Sequence, residues 1–180
     1  MTKIISAFPC LGKTTIFSLN KDTMFDREFN ESRSIRGMSS VERDVFFEQC
    51  ANIVQLQQKT GYYDYIFITD NPFLVSRLDP QTITHVYPNV FDEEVMKEYK
   101  QRILERNDMD WYERVITPKL SYLKRHINGL QEKGCDVRLT DLDNRFIEDV
   151  FAFNEQTLLP NKKIGLLEQT DEMNQMEMDF

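Results

Sequence analysis

The chain has 180 residues, 41% of them hydrophobic and 12% aromatic, enough for one folded domain with a sizeable core and a tail. Its formal net charge of −8 argues against a general nucleic-acid binder while leaving room for a local basic cleft, and no apolar stretch approaches a membrane span. Cys10, Cys50 and Cys135 are odd in number and far apart, which fits a reduced, cytoplasmic setting better than a disulfide framework.

The first element, Ile4-Ile5-Ser6-Ala7-Phe8-Pro9-Cys10-Leu11-Gly12-Lys13-Thr14-Thr15, reads as a buried strand, then a phosphate-binding loop, then a helix. It follows Lys3 at once, so no secretory leader is expected. Gly12, Lys13 and Thr14 fit the second half of G-x-x-x-x-G-K-[ST], and Ala7 stands where the first Gly belongs. Amides of a tight loop backed by a helix N-terminus form a concave donor site for phosphate. Gly12 lets the backbone bend, Lys13 brings a point charge to the terminal phosphates, and the Thr14 hydroxyl can ligate Mg²⁺. If position 7 needs a positive φ, Ala7 carries a penalty of about 1 kcal/mol. The bland alternative is a chance Gly-Lys-Thr before an amphipathic helix. Cys10 inside the loop is either a small filler or, if exposed, a reactive thiol.

The first helix is expected from Lys13 to Asn20, and a short strand over Thr23–Phe25 ends at Asp26. Asp26 to Met38 is polar and aperiodic, which suits either a working loop or a solvated connection. Ser39-Ser40 cap a long helix carrying Val45, Phe46, Cys50, Ile53, Val54 and Leu56, stopped by Gly61. Tyr65 to Thr69 is a continuous apolar run, as in a central parallel strand. Asp70 at its carboxyl end is either a Mg²⁺-shell acid or a cap for the next helix, with Pro72 in the first turn. Phe73 to Leu78 makes a short helix carrying Arg77.

Ile83 to Pro88 is a further strand, in which His85 reads as a packed histidine. Phe91 to Asn107 is a charged helix with Arg102 and Arg106 on one face. These two arginines either clamp a triphosphate or make weak surface pairs with neighbours such as Glu98. Asp110 to Lys133 is another helix with a kink or break at Pro118. Asp136 to Leu139 is the last strand, and Asp143 caps a last helix from Asn144 to about Asn154. Strands alternate with helices throughout, the pattern of a parallel α/β sheet. Residues 168–180 carry five acids, three Met and no basic residue, as in a mobile tail or an interaction peptide for a protein partner.

The loop Ala7-Phe8-Pro9-Cys10-Leu11-Gly12-Lys13-Thr14-Thr15, Asp26, the Val86-Tyr87-Pro88 strand end and the series Glu94, Tyr99, Arg102, Arg106, Asn107 before Trp111 together resemble the small P-loop kinases common in bacteriophage genomes, which are similar to nucleoside monophosphate kinases. The resemblance covers residues 1–157, with lid helices near 91–125, and leaves 158–180 outside. It implies a three-layer P-loop NTPase fold around a parallel sheet of about five strands, in the host cytoplasm if the chain is phage-encoded. It implies Mg²⁺-dependent transfer of the ATP γ-phosphoryl to a small acceptor, foremost a (deoxy)nucleoside monophosphate. By the same resemblance Pro9, Cys10, Leu11, Gly12, Lys13, Thr14 and Thr15 would hold ATP, and Thr14 and Asp70 the metal. Lys13, Asp26, Arg102 and Arg106 would be catalytic, and Asp26, Ser32, Arg33, Arg36 and Arg77 would meet the acceptor. The Asp70 strand lacks the Gly-x-Pro-Arg of adenylate kinases, so the acceptor is less defined than the donor. A kinase for modified bases or ends of DNA, and a catalytically inactive nucleotide-binding regulator, are the competing expectations. The oligomeric state is open, a homodimer included.

Overall fold

The computed structural model describes residues 2–26 and 37–154. The expectations for Ser32, Arg33, Arg36 and the acidic tail lie outside the described residues. Five strands form one parallel sheet: β1 (Lys3–Ala7), β2 (Met24–Asp26), β3 (Tyr65–Thr69), β4 (Ile83–Pro88) and β5 (Asp136–Thr140). Their order across the sheet is β2-β3-β1-β4-β5. The connection leaving β1 runs toward the β2 edge, whereas the connection leaving its neighbour β4 runs toward β5. The two loops therefore part at the carboxyl ends of these strands, the crevice where open α/β sheets take their ligands.

The strand alternation sorts the apolar residues onto two faces. Ile4, Ile66, Ile68 and Ile83 gather with Phe47, Cys50, Ala51 and Val54 of helix α2 (Ser40–Thr60) and with Leu74 of the short helix α3 (Pro72–Val75). Ile5, Ala7, Phe67 and Val86 gather with Ile16 of helix α1 (Lys13–Leu19) and with Ile147, Phe151 and Phe153. Burying each large side chain stabilises the fold by about 1.5–3 kcal/mol, so helices on both faces are what keep these strands covered.

Helix α2 begins where Ser39 accepts from the Glu42 amide and the Glu42 carboxylate accepts from the Ser39 amide, a reciprocal cap. It ends at Gly61, whose φ of 65° is left-handed. Helix α4 (Glu93–Leu104) is shorter than the expected Phe91–Asn107 because Asp92 caps it, accepting from the amides of Glu94 and Val95.

The break expected at Pro118 takes a specific form. A short helix α5 (Met109–Trp111) passes into a π-helical turn over Tyr112–Ile116, then into α6 (Thr117–Glu132). The Thr117 amide donates to Tyr112 O, one residue further back than in an α-helix. Pro118 has no amide to donate, and the wide turn before it absorbs the mismatch.

The last helix is a correction. It was expected from Asn144 to Asn154 with Asp143 as cap, but helix α7 covers only Ile147–Val150. Asp141, not Asp143, captures the amides of Asp143 and Asn144, and the Asp149 carboxylate takes those of Arg145 and Phe146. Local side-chain acceptors thus outcompete helical bonds over 143–146 and leave that stretch free to cover the loop after β1.

Candidate functional site

The loop Phe8–Gly12 leaves the carboxyl end of β1 and enters α1. Its turn is made by two left-handed residues, Cys10 at φ 60° and Gly12 at φ 90°. Ala7 is not among the residues of positive φ; it is the last residue of β1, opposite Thr69 and Val86. The missing first glycine therefore costs no backbone strain, and the strain sits at Cys10, which no residue pattern singled out.

Neighbouring elements fix the loop. The Phe8 amide donates to Val86 O at 3.0 Å and the Ile147 amide to Leu11 O at 3.0 Å. The Tyr99 hydroxyl of α4 donates to Pro9 O at 2.8 Å. A Cβ on Gly12 would stand 3.3 Å from Glu148 Oε2 and 3.4 Å from the Phe146 ring, so Gly12 is required by close approach as well as by φ. Thr14 and Thr15 are exposed on the first turn of α1.

Lys13 turns back across the sheet toward β2. Its ammonium lies 3.0 Å from both carboxylate oxygens of Asp26, and the two side chains are only 11% and 3% exposed. Asp26, at the end of β2, thus neutralises and orients the ammonium at the mouth of the loop.

Asp70 follows the last residue of β3, beside the start of the loop, and is 4% exposed. Its Oδ1 accepts from the Tyr87 hydroxyl at 2.9 Å, and its backbone carbonyl accepts from Lys119 Nζ at 3.0 Å. The expectation that it caps the next helix does not hold, since Asn71 accepts from the Phe73 amide in that role.

The two helix arginines part company. The Arg102 guanidinium lies 4.7 Å from the Phe146 ring and 5.6 Å from that of Tyr99. It donates to Arg145 O at 3.0 Å and pairs with Glu98 at 3.7 Å, while its Nε is buried without a hydrogen-bond partner among the described residues. Arg106 lies past the end of α4 and is exposed, with no ion pair among the described residues. Arg77, expected at the acceptor, pairs instead with Asp44 and Glu48 of α2 at 2.8 and 3.4 Å and donates to Phe73 O.

Comparison with protein-family models, with curated proteins and with solved structures returns no match. The chemistry of the site therefore rests on its own geometry. Among the described residues no cluster of three His, Cys, Asp or Glu side chains could hold a metal by itself. Mg²⁺ asks for less: one or two protein oxygens with substrate phosphates and water, and the exposed Thr14 hydroxyl and the Asp70 carboxylate are donors of that kind.

Several site residues carried no sequence signal of their own. Phe146 looks like a core aromatic in a one-dimensional reading, and Lys119 and His126 like polar points on a helix, whereas Tyr99 stands in the series that carries the family resemblance. The alternation His85, Tyr87 along β4 could have flagged Tyr87, because a tyrosine buried beside a histidine needs a partner for its hydroxyl.

Proposed function

We propose that this chain is a P-loop phosphotransferase that moves the ATP γ-phosphoryl to a small acceptor, foremost a (deoxy)nucleoside monophosphate. The observation that carries the reading is the Lys13–Asp26 pair beside a left-handed glycine turn at the carboxyl edge of a five-stranded parallel sheet. A lysine held there has the reach and charge to meet the terminal phosphates of a nucleotide seated on the loop amides.

In the transfer, the bond from the γ-phosphorus to the bridging oxygen of ADP breaks as an acceptor oxygen bonds to phosphorus. An ionised acceptor phosphate has no proton to lose, so positioning and charge do the work. Lys13 supports charge on the transferring group, and Asp26 sets its direction until phosphate oxygens compete for it. Thr14 and Asp70 would hold Mg²⁺ when it is bound, and the ion would offset phosphate charge. Arg106 is exposed and ready to meet an anion. Arg102 can do so only by exchanging Glu98 and the Arg145 carbonyl for phosphate oxygens.

The test is incubation with ATP, Mg²⁺ and pooled nucleosides, mononucleotides and oligonucleotides, followed by mass. A gain of one phosphate on a mononucleotide supports the reading. Gain on oligonucleotides alone favours the DNA-directed alternative. Tight ATP binding with no transfer to any acceptor favours the inactive regulator.

A further inference from the structure

The geometry points to Tyr87, backed by His126, as a positioning residue that holds the Asp70 carboxylate with one oxygen engaged and the other left for a divalent cation; this rests on the phosphotransferase reading. Three elements converge on Asp70. Tyr87 reaches it from β4, Lys119 and His126 come from α6, and Asp70 itself ends β3. Nothing in helix propensity or core packing calls for such a meeting, since a phenylalanine at position 87 would fill the same space.

The direction of each hydrogen bond follows from the donor inventory. An ionised carboxylate only accepts, so the Tyr87 hydroxyl donates to Asp70 Oδ1 at 2.9 Å. The same hydroxyl lies 3.1 Å from His126 Nε2 and can only accept there. This assigns the proton to Nε2 of the imidazole. The His85 ring lies parallel to the Tyr87 ring at 6.3 Å and the His126 ring meets it edge-on at 5.9 Å. Tyr87 itself is fully buried. Its hydroxyl is therefore confined from both sides.

The result is an acid fixed at two points. Lys119 pins the backbone of Asp70 and Tyr87 pins Oδ1, while Oδ2 makes no hydrogen bond to a described residue. A metal-binding carboxylate is commonly held in this way, one oxygen on a neighbouring donor and the other for the ion. Lys13, the other cation at the loop, is occupied by Asp26 and does not compete for it.

The experiment is calorimetric titration of the full chain with ATP, with and without Mg²⁺, for wild type, D70N, Y87F, H126Q and H126L. The wild type is expected to bind ATP more tightly with Mg²⁺ than without. D70N should lose that gain. Y87F should weaken the Mg²⁺-dependent part about 10-fold while its metal-free ATP affinity stays at the wild-type value. H126Q, which keeps a donor for the Tyr87 oxygen, should stay near wild type, whereas H126L should fall between wild type and Y87F. A folded Y87F with the full Mg²⁺ gain overturns the proposal. If Y87F does not fold, H126L decides, and an unchanged Mg²⁺ gain in that variant overturns it equally. Equal ATP affinity of the wild type with and without Mg²⁺ sinks the Asp70 assignment alone, whereas no ATP binding at all sinks the phosphotransferase reading and this proposal with it.

Discussion

Asp26 and Asp70 end neighbouring strands, β2 and β3, and both are nearly buried, yet they are held by opposite means. Asp26 faces an ammonium at 3.0 Å through both its oxygens. Asp70 faces a neutral hydroxyl through one oxygen, and the ammonium near it, Lys119, bonds its backbone carbonyl instead. The contrast separates two tasks. The charge of Asp26 is engaged in holding Lys13, while that of Asp70 is held in place without being neutralised by the side chain of a described residue. Two acids in similar positions thus offer different chemistry because their neighbours differ.

The largest effect expected from breaking this contrast is at Lys13. Lys13→Met should lower ATP-dependent transfer by about 10²–10³-fold, the range for removing one pre-organised charge stabiliser. It should also cost about 3 kcal/mol of stability, because the nearly buried Asp26 carboxylate loses the ammonium that faces both its oxygens. The double variant Lys13→Met/Asp26→Leu should recover most of that stability in urea melts and none of the activity. A double variant less stable than both singles would mean that the pair does not carry the energy assigned to it.

The next comparison sets Asp26→Asn against Asp70→Asn. The first strands the Lys13 ammonium and should destabilise by about 2–3 kcal/mol. The second keeps a carbonyl to accept from Tyr87 and should cost below about 1.5 kcal/mol. Equal midpoints in thermal unfolding would erase the distinction between the two acids.

The loop beside them gives a sharper test of backbone demand. Gly12→Ala should cost about 1–2 kcal/mol from its left-handed φ, with a further loss of ATP affinity as Phe146 is displaced. Ala7→Gly, which completes the sequence pattern, should not raise activity. It should instead lower stability by about 0.5–1 kcal/mol, through the added freedom of the unfolded chain. Faster transfer by Ala7→Gly would show that position 7 is strained after all.

The smallest effect is one of pH, and it belongs to the Asp70 side. Burial lowers the His85 pKa, with the Asp70 charge opposing the shift. A histidine buried neutral takes up its proton on unfolding, so the unfolded chain binds more protons as pH falls from about 6.5. The His85 contribution is therefore complete above that pH and is lost toward the lower folded-state pKa. His85→Gln should flatten the fall of thermal stability in that window, whereas Asp26→Asn should leave the His85 share of the slope in place.

How far these features can be read along the chain varies with their range. The five strands, the long helix from Ser40 and the break near Pro118 follow from runs, caps and a missing amide, all local. The loop Phe8–Gly12 and the end of β2 at Asp26 were legible for the same reason. The Lys13–Asp26 pair was not, because its partners are thirteen residues apart and join only when β2 takes the sheet edge. Arg102 and Arg106 look equivalent at i, i+4, but the segment Arg145-Phe146, which caps the first and leaves the second exposed, is 43 residues away from Arg102. The shortened last helix failed from local causes: Asp141 and Asp149 draw amides away from the helix, and short-range pattern alone does not say which of several acids will do so.

By itself the sequence determined an α/β chain with parallel strands, a glycine-lysine-threonine turn after the first of them, and acids at the ends of the next two. These depend on residue periodicity and on what each residue can do within a turn or two. Only the tertiary structure decided that one acid binds the loop lysine, that the other is held by Tyr87, and that the arginines diverge. The reason is physical: the energy of a buried charge or hydroxyl is set by the few atoms within about 3 Å of it, and those atoms come from strands and helices that the chain brings together only on folding.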